Sequence, residues 1–116
     1  MMAGNYGNEN LAFVQGSQTL TTDGTSDTVT IPAGVHAVDF HATKAVWVKI
    51  GEPGSTPVAA APGAEKTVVQ NSFYLADSEK ITAIPIPLGN DTNQVKIAAI
   101  QSTEAGVLTI THRKFA

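Results

Sequence analysis

The chain has 116 residues, with 7 basic and 10 acidic side chains and a formal charge of −3. That length suits one domain with a modest core, and the charge is too mild to name an electrostatic partner. The absence of cysteine excludes disulfides and thiolate metal sites. No basic stripe of the kind a nucleic-acid backbone needs is visible. No apolar run approaches the ~20 residues that cross a bilayer. Neither nucleic acid nor membrane is therefore expected as a partner.

Val, Ile and Thr together number 33, against five Leu. β-Branched side chains suit a pleated, half-buried surface and lose χ1 freedom in a helix. The 16 alanines argue less for helix than their number suggests, because many stand beside Pro or Gly, as in "PVAAAPGAEK". The composition predicts an all-β fold.

The start, "MMAGNYGNEN", lacks the basic and apolar regions of a signal peptide, so export by the general secretory route is not expected. Rich in Gly and Asn, residues 1–10 read as a flexible arm with Tyr6 as its single aromatic anchor. Residues 11–116 read as the folded domain. A first strand is expected from Leu11 ("LAFVQ") through the polar "SQTLTT". "TDGTSD" is a turn, "TVTI" a short strand, and "PAG" at 32–34 turns the chain again, with Pro32 fixing φ and Gly34 free to take φ > 0.

"VHAVDFHA" and "AVWVKI" follow as strands. In the second, Val46, Val48 and Ile50 share one face while Trp47 and Lys49 share the other. Residues 51–65 carry three prolines and three glycines, cannot continue a ladder, and are expected as an exposed loop. Short strands are expected at "TVVQ", at "SFYL" and in "KITAIPIPL", where Pro85 and Pro87 place that segment at a sheet edge or end. "QVKIAAIQ" and "VLTITHR" flank "STEAG", whose glycine could take the left-handed region and close a hairpin. Eight or nine short strands with turn signals every 8–12 residues predict a single-domain β-sandwich, jelly-roll-like.

The stretch "VHAVDFHATK" raises the question of a metal or acid–base site on His36, Asp39 and His41. On a strand, His36 points with Val38 and Phe40, while Asp39 and His41 point the other way. Ligands on opposite faces cannot share one ion. Asp39 and His41, roughly 7 Å apart by a rise of ~3.3 Å per residue, read as a hydrogen-bonded or exposed pair. His112 is remote in sequence and adds no constraint. No G-x-S-x-G elbow is present. "GEPGSTP" resembles a phosphate loop without its Gly-Lys-Ser/Thr ending or following helix. "NDT" at 90–92 matches a glycosylation sequon of a kind common by chance. Neither enzymatic activity nor a metal or other cofactor is expected.

Among the aromatics, Trp47 could be an interface anchor, a sugar-stacking platform, or core if both sheet faces are covered. Lys49 on the same face favours an interface. Phe73 and Tyr74 alternate, so one is core and the other outward. Phe115 could fasten the C-terminus or touch a partner.

"FHATKAVWVKIG", "SFYL" and "KIAAIQSTEAGVLTITH" together resemble a group of small virion structural proteins of tailed bacteriophages. The likeness runs from His36 to His112. Residues 1–34 and "IPIPLGNDTNQ" depart from it. The resemblance implies a capsid decoration (cement) protein, often trimeric, made in the host cytoplasm and attached to the major capsid protein on the virion surface. Tyr6, Trp47, Lys49, Tyr74 and Phe115 are the candidate interface residues. A carbohydrate- or receptor-binding module of a tail or head fibre is the alternative, and a small metal enzyme ranks last.

Overall fold

Among the described residues, alternation of β-branched and polar side chains builds eight strands and no helix. The computed structural model describes residues 13–59, 71–87, 90 and 93–114. Expectations for the arm, Tyr6, "TVVQ" and Phe115 lie outside those residues. The strands are β1 (Phe13–Thr22), β2 (Asp27–Thr30), β3 (Ala37–Ala42), β4 (Val46–Ile50), β5 (Ser72–Leu75), β6 (Lys80–Pro85), β7 (Lys96–Gln101) and β8 (Gly106–Lys114).

They form two four-stranded antiparallel sheets in the orders β1-β8-β3-β6 and β2-β7-β4-β5. Strands pair first with last inward: β1 with β8, β2 with β7, β3 with β6 and β4 with β5. This is one long hairpin, with its tip between β4 and β5, rolled so that its pairs fall alternately into two layers. That order is a jelly roll, the architecture expected above.

The inner faces supply the core. Val38, Phe40, Leu108 and Ile110 from the first sheet meet Val46, Val48, Leu75 and Ile97 from the second, all essentially without solvent exposure. Each such side chain contributes roughly 1.5–3 kcal/mol by leaving water. Phe40 and Phe73 bridge the layers edge to face, with centroids 5.6 Å apart. Gly34 takes φ 87° in the turn after Pro32, as expected. β6 is a sheet edge and ends at Pro85, also as expected.

One expectation is corrected. "QVKIAAIQ" and "VLTITHR" are strands, but β7 and β8 lie in different sheets and do not form a hairpin. Each finds two longer-range neighbours instead: β7 between β2 and β4, β8 between β1 and β3. Gly106 is not among the glycines with positive φ. It is there for space, because a Cβ would sit 2.8 Å from Thr43 Oγ1 and from Lys44 Cβ.

Residues 51–59 form a loop exposed at Glu52, Gly54, Ser55, Thr56 and Val58, as expected, and it is also tied to the protein. Gly51 N–H donates to Lys96 O, Gly54 N–H to Gln94 O, Lys96 Nζ to Thr56 Oγ1, and Ala59 N–H to Ser26 Oγ. These contacts carry the loop from the end of β4 across the outside of β7 to the start of β2. Ala98, which points outward from β7, is fully buried, and so is Ala59 of the loop. A proline-rich segment cannot pair as a strand, but it can still cover a sheet with its side chains. Residues 60–65 lie outside the described part.

Candidate functional site

The outer face of the β2-β7-β4-β5 sheet gathers three of the five candidate interface residues. In β4 the buried Val46, Val48 and Ile50 force Trp47 and Lys49 outward, because successive side chains take opposite faces. In β5, Phe73 and Leu75 turn inward, leaving Ser72 and Tyr74 outside. Register then decides who meets whom. Trp47 is opposite Tyr74 on one side and opposite Ile100 of β7 on the other. The Trp47 and Tyr74 rings lie 5.1 Å apart with planes tilted by 55°. Tyr74 is 46% exposed, and Trp47 and Ile100 are half-buried. Lys49, in the next row, is flanked by Ser72 and Ala98. The result is an apolar row, Tyr74–Trp47–Ile100, with one cation beside it.

The other outer face is different in kind. Thr109 and Thr111 of β8, Thr19 and Thr21 of β1, and Asp39 and His41 of β3 all point outward from the β1-β8-β3-β6 sheet. Asp39 is its hub. Its Oδ2 accepts from Arg113 Nε at 2.8 Å and Nη2 at 2.7 Å, and its Oδ1 accepts the Ala83 N–H at 2.9 Å. That N–H is available because Thr82 and Ala83 together stand opposite the single Asp39, a bulge on β6. Burial alone would raise the Asp39 pKa, but the Arg113 hydrogen bond, the Ala83 N–H and the Arg113 charge together hold it below the usual carboxylate value. The same pairing raises the pKa of Arg113.

The histidines separate. His36 lines an apolar cleft of about 560 Å³ between the edges of β5 and β6, with Ile50, Phe73, Ile84 and Ile86. Asp39 and His41 stand on the outer face. They share that face as expected, and the carboxylate's partner is Arg113, whose guanidinium brings two charged N–H donors to Oδ2. Among the described residues no three His, Cys, Asp or Glu side chains form a group suited to a metal ion. His112 does have a role. It faces inward at the end of the core, 7% exposed, with Nε2 hydrogen-bonded to Gln18 Oε1, and burial lowers its pKa.

Sequence reasoning missed Asn90. This residue of the "NDT" triplet is 5% exposed. Its amide nitrogen donates to Pro32 O and Val35 O, and its Oδ1 accepts the Val95 N–H. It is a buried staple between two loops, with no side-chain atom to offer a glycan. The available signal was its place between a strand ending in prolines and the following strand. The partners, 55 and 58 positions away, left no local mark. Comparison with known proteins finds no matching family model, no matching curated protein and no matching solved structure.

Proposed function

We propose that this protein is a non-enzymatic structural component that docks through the outer face of its β2-β7-β4-β5 sheet onto a repeating protein surface. In this reading it is a capsid decoration protein of a tailed bacteriophage, bound to the major capsid protein. The observation that carries the reading is the Tyr74–Trp47–Ile100 row. Trp and Tyr are the side chains that most often anchor protein interfaces, and an apolar row in water is stabilised by being covered. The phage setting and a threefold oligomer are supported by the sequence resemblance from His36 to His112. A small oligomer on a lattice engages several shell subunits at once, which raises apparent affinity without strong single contacts.

A second reading, a carbohydrate-binding module, draws on the 46% exposure of Tyr74. The 55° tilt between the two rings weighs against it, since two rings at that angle do not make one flat platform for a sugar.

The test is binding to emptied, expanded capsids of the phage that encodes the chain. The native protein should bind saturably, and Trp47→Ala/Tyr74→Ala should raise Kd by about 30-fold or more, as loss of interface hot spots does. The fold should survive, with stability lowered by roughly 0.5–1.5 kcal/mol for the lost Trp47–Tyr74 ring pair. Absence of saturable binding by the native chain, with glycan binding that Trp47→Ala removes, would replace this reading by the second.

A further inference from the structure

Four strands form the edges of the two sheets, and three of them carry a defence against pairing with another chain. β2 and β5 have only four residues each. β6 is interrupted by its bulge, holds Ala83 at φ 57° and ends in Pro85, which has no N–H to donate. Short length, bulges and proline are the devices that keep sheet edges single. β1 has none of the latter two over its second half. It runs for ten residues, FVQGSQTLTT, without a proline or a charged side chain. From Gly16 to Thr22 its register with β8 is regular, the one shift lying between Val14 and Gly16. Among the described residues no strand pairs with its other side.

We infer that the β1 edge is a contact between two copies of this chain, pairing antiparallel about a twofold axis near Thr19. Three features select a second copy as the occupant. The outward side chains are Ser17, Thr19 and Thr21, all exposed. Antiparallel pairing about Thr19 sets Thr19 against its own counterpart and Ser17 against Thr21, and such Ser/Thr pairs across strands are favourable. With no charge on the strand, self-pairing brings no like charges together. The pairing also joins two four-stranded sheets into one of eight, and every second N–H and C=O of β1 gains a partner.

The geometry has a consequence for docking. The dyad of an antiparallel strand pair is perpendicular to the sheet. Both copies therefore show the same sheet on the same side, and both Tyr74–Trp47–Ile100 rows face one way. A pair built like this can lie on a single surface with both aromatic rows engaged. Where the chain is also threefold, the β1 contact links one trimer to its neighbour across a local twofold. The inference stands on the edge itself and not on the docking reading.

The experiment is light scattering coupled to size exclusion across a concentration series, together with amide hydrogen exchange. The β1 contact doubles the mass of a single chain, and where the chain is also threefold it joins trimers into species of six chains and more. Thr19→Lys/Thr21→Lys, which sets the two position-19 lysines opposite each other across the dyad and the position-21 lysines diagonal to them, should weaken the doubling about fivefold or more. An equimolar mixture with Thr19→Glu/Thr21→Glu should restore it. In the native chain, amides within 16–22 should gain protection as concentration rises, a readout that needs no variant. Protection independent of concentration, or a mass that never doubles, would overturn the inference. Failure of Trp47→Ala/Tyr74→Ala to bind shells with the doubling intact would mark the two sites as separate.

Discussion

Asp39 satisfies three donors with two oxygens, and those donors come from two strands. In Asp39→Asn the Arg113 guanidinium loses its ion pair, while an amide oxygen stays within reach of the Ala83 N–H. Asp39→Asn should cost about 1–3 kcal/mol, the range for a hydrogen-bonded charge, read as a lower urea midpoint at pH 7. Because the folded pKa of Asp39 is lowered, its contribution is complete above the ordinary carboxylate value of about 3.9 and fades as pH falls through it. The gap between native and Asp39→Asn midpoints should therefore close below about pH 4. His112 acts in a different window. Burial lowers its folded pKa, so the unfolded chain takes up a proton first. Stability is complete above about pH 6.5 and declines as pH falls below it. In His112→Gln the part of the urea midpoint's fall between pH 7 and pH 5 that belongs to this ring should vanish, and an unchanged pH profile would refute the assignment.

At the scale of elements, the β6 bulge stores backbone strain to give Asp39 its third donor. Ala83 sits at φ 57°, where a Cβ costs roughly 1–2 kcal/mol. Glycine removes that cost but adds unfolded-chain entropy of about 0.4–1 kcal/mol. The first effect is larger, so Ala83→Gly should stabilise the protein by about 0.5–1 kcal/mol. Thr82→Gly, next to it and without positive φ, gains only the entropy term and should destabilise. Equal and unfavourable shifts in both variants would mean the bulge is unstrained. The loop over β7 shows the opposite use of glycine. A Cβ on Gly51 would stand 2.8 Å from Pro57 Cδ and 3.1 Å from Lys96 O, so close approach and not φ demands it.

For the whole molecule, the two layers are joined by their inner faces, and Phe40 is the largest fully buried side chain among the described residues. It belongs to the first sheet and reaches Phe73 in the second. Phe40→Ala should cost about 3–5 kcal/mol, lost transfer energy plus the cavity left behind. Denaturant midpoints followed by Trp47 fluorescence and by circular dichroism should fall together. A loss below ~1 kcal/mol would show that the sheets do not depend on this contact.

What the sequence determined by itself is the class and the faces. Alternation is a local property, so "AVWVKI" already put Trp47 and Lys49 opposite the valines, and "VHAVDFHA" already parted His36 from Asp39 and His41. The proline pair already marked β6 as an edge. What only the tertiary structure decided is pairing. Arg113 reaches Asp39 across 74 positions and His112 reaches Gln18 across 94, and no spacing rule predicts either. The same holds for β7 and β8, which a short loop joins but which lie in different sheets, and for the 51–59 loop tied to Lys96 and Ser26. A strand's faces follow from its own residues. Its neighbours follow from the arrangement that buries the most apolar surface over the whole chain, a sum that no single window of sequence contains.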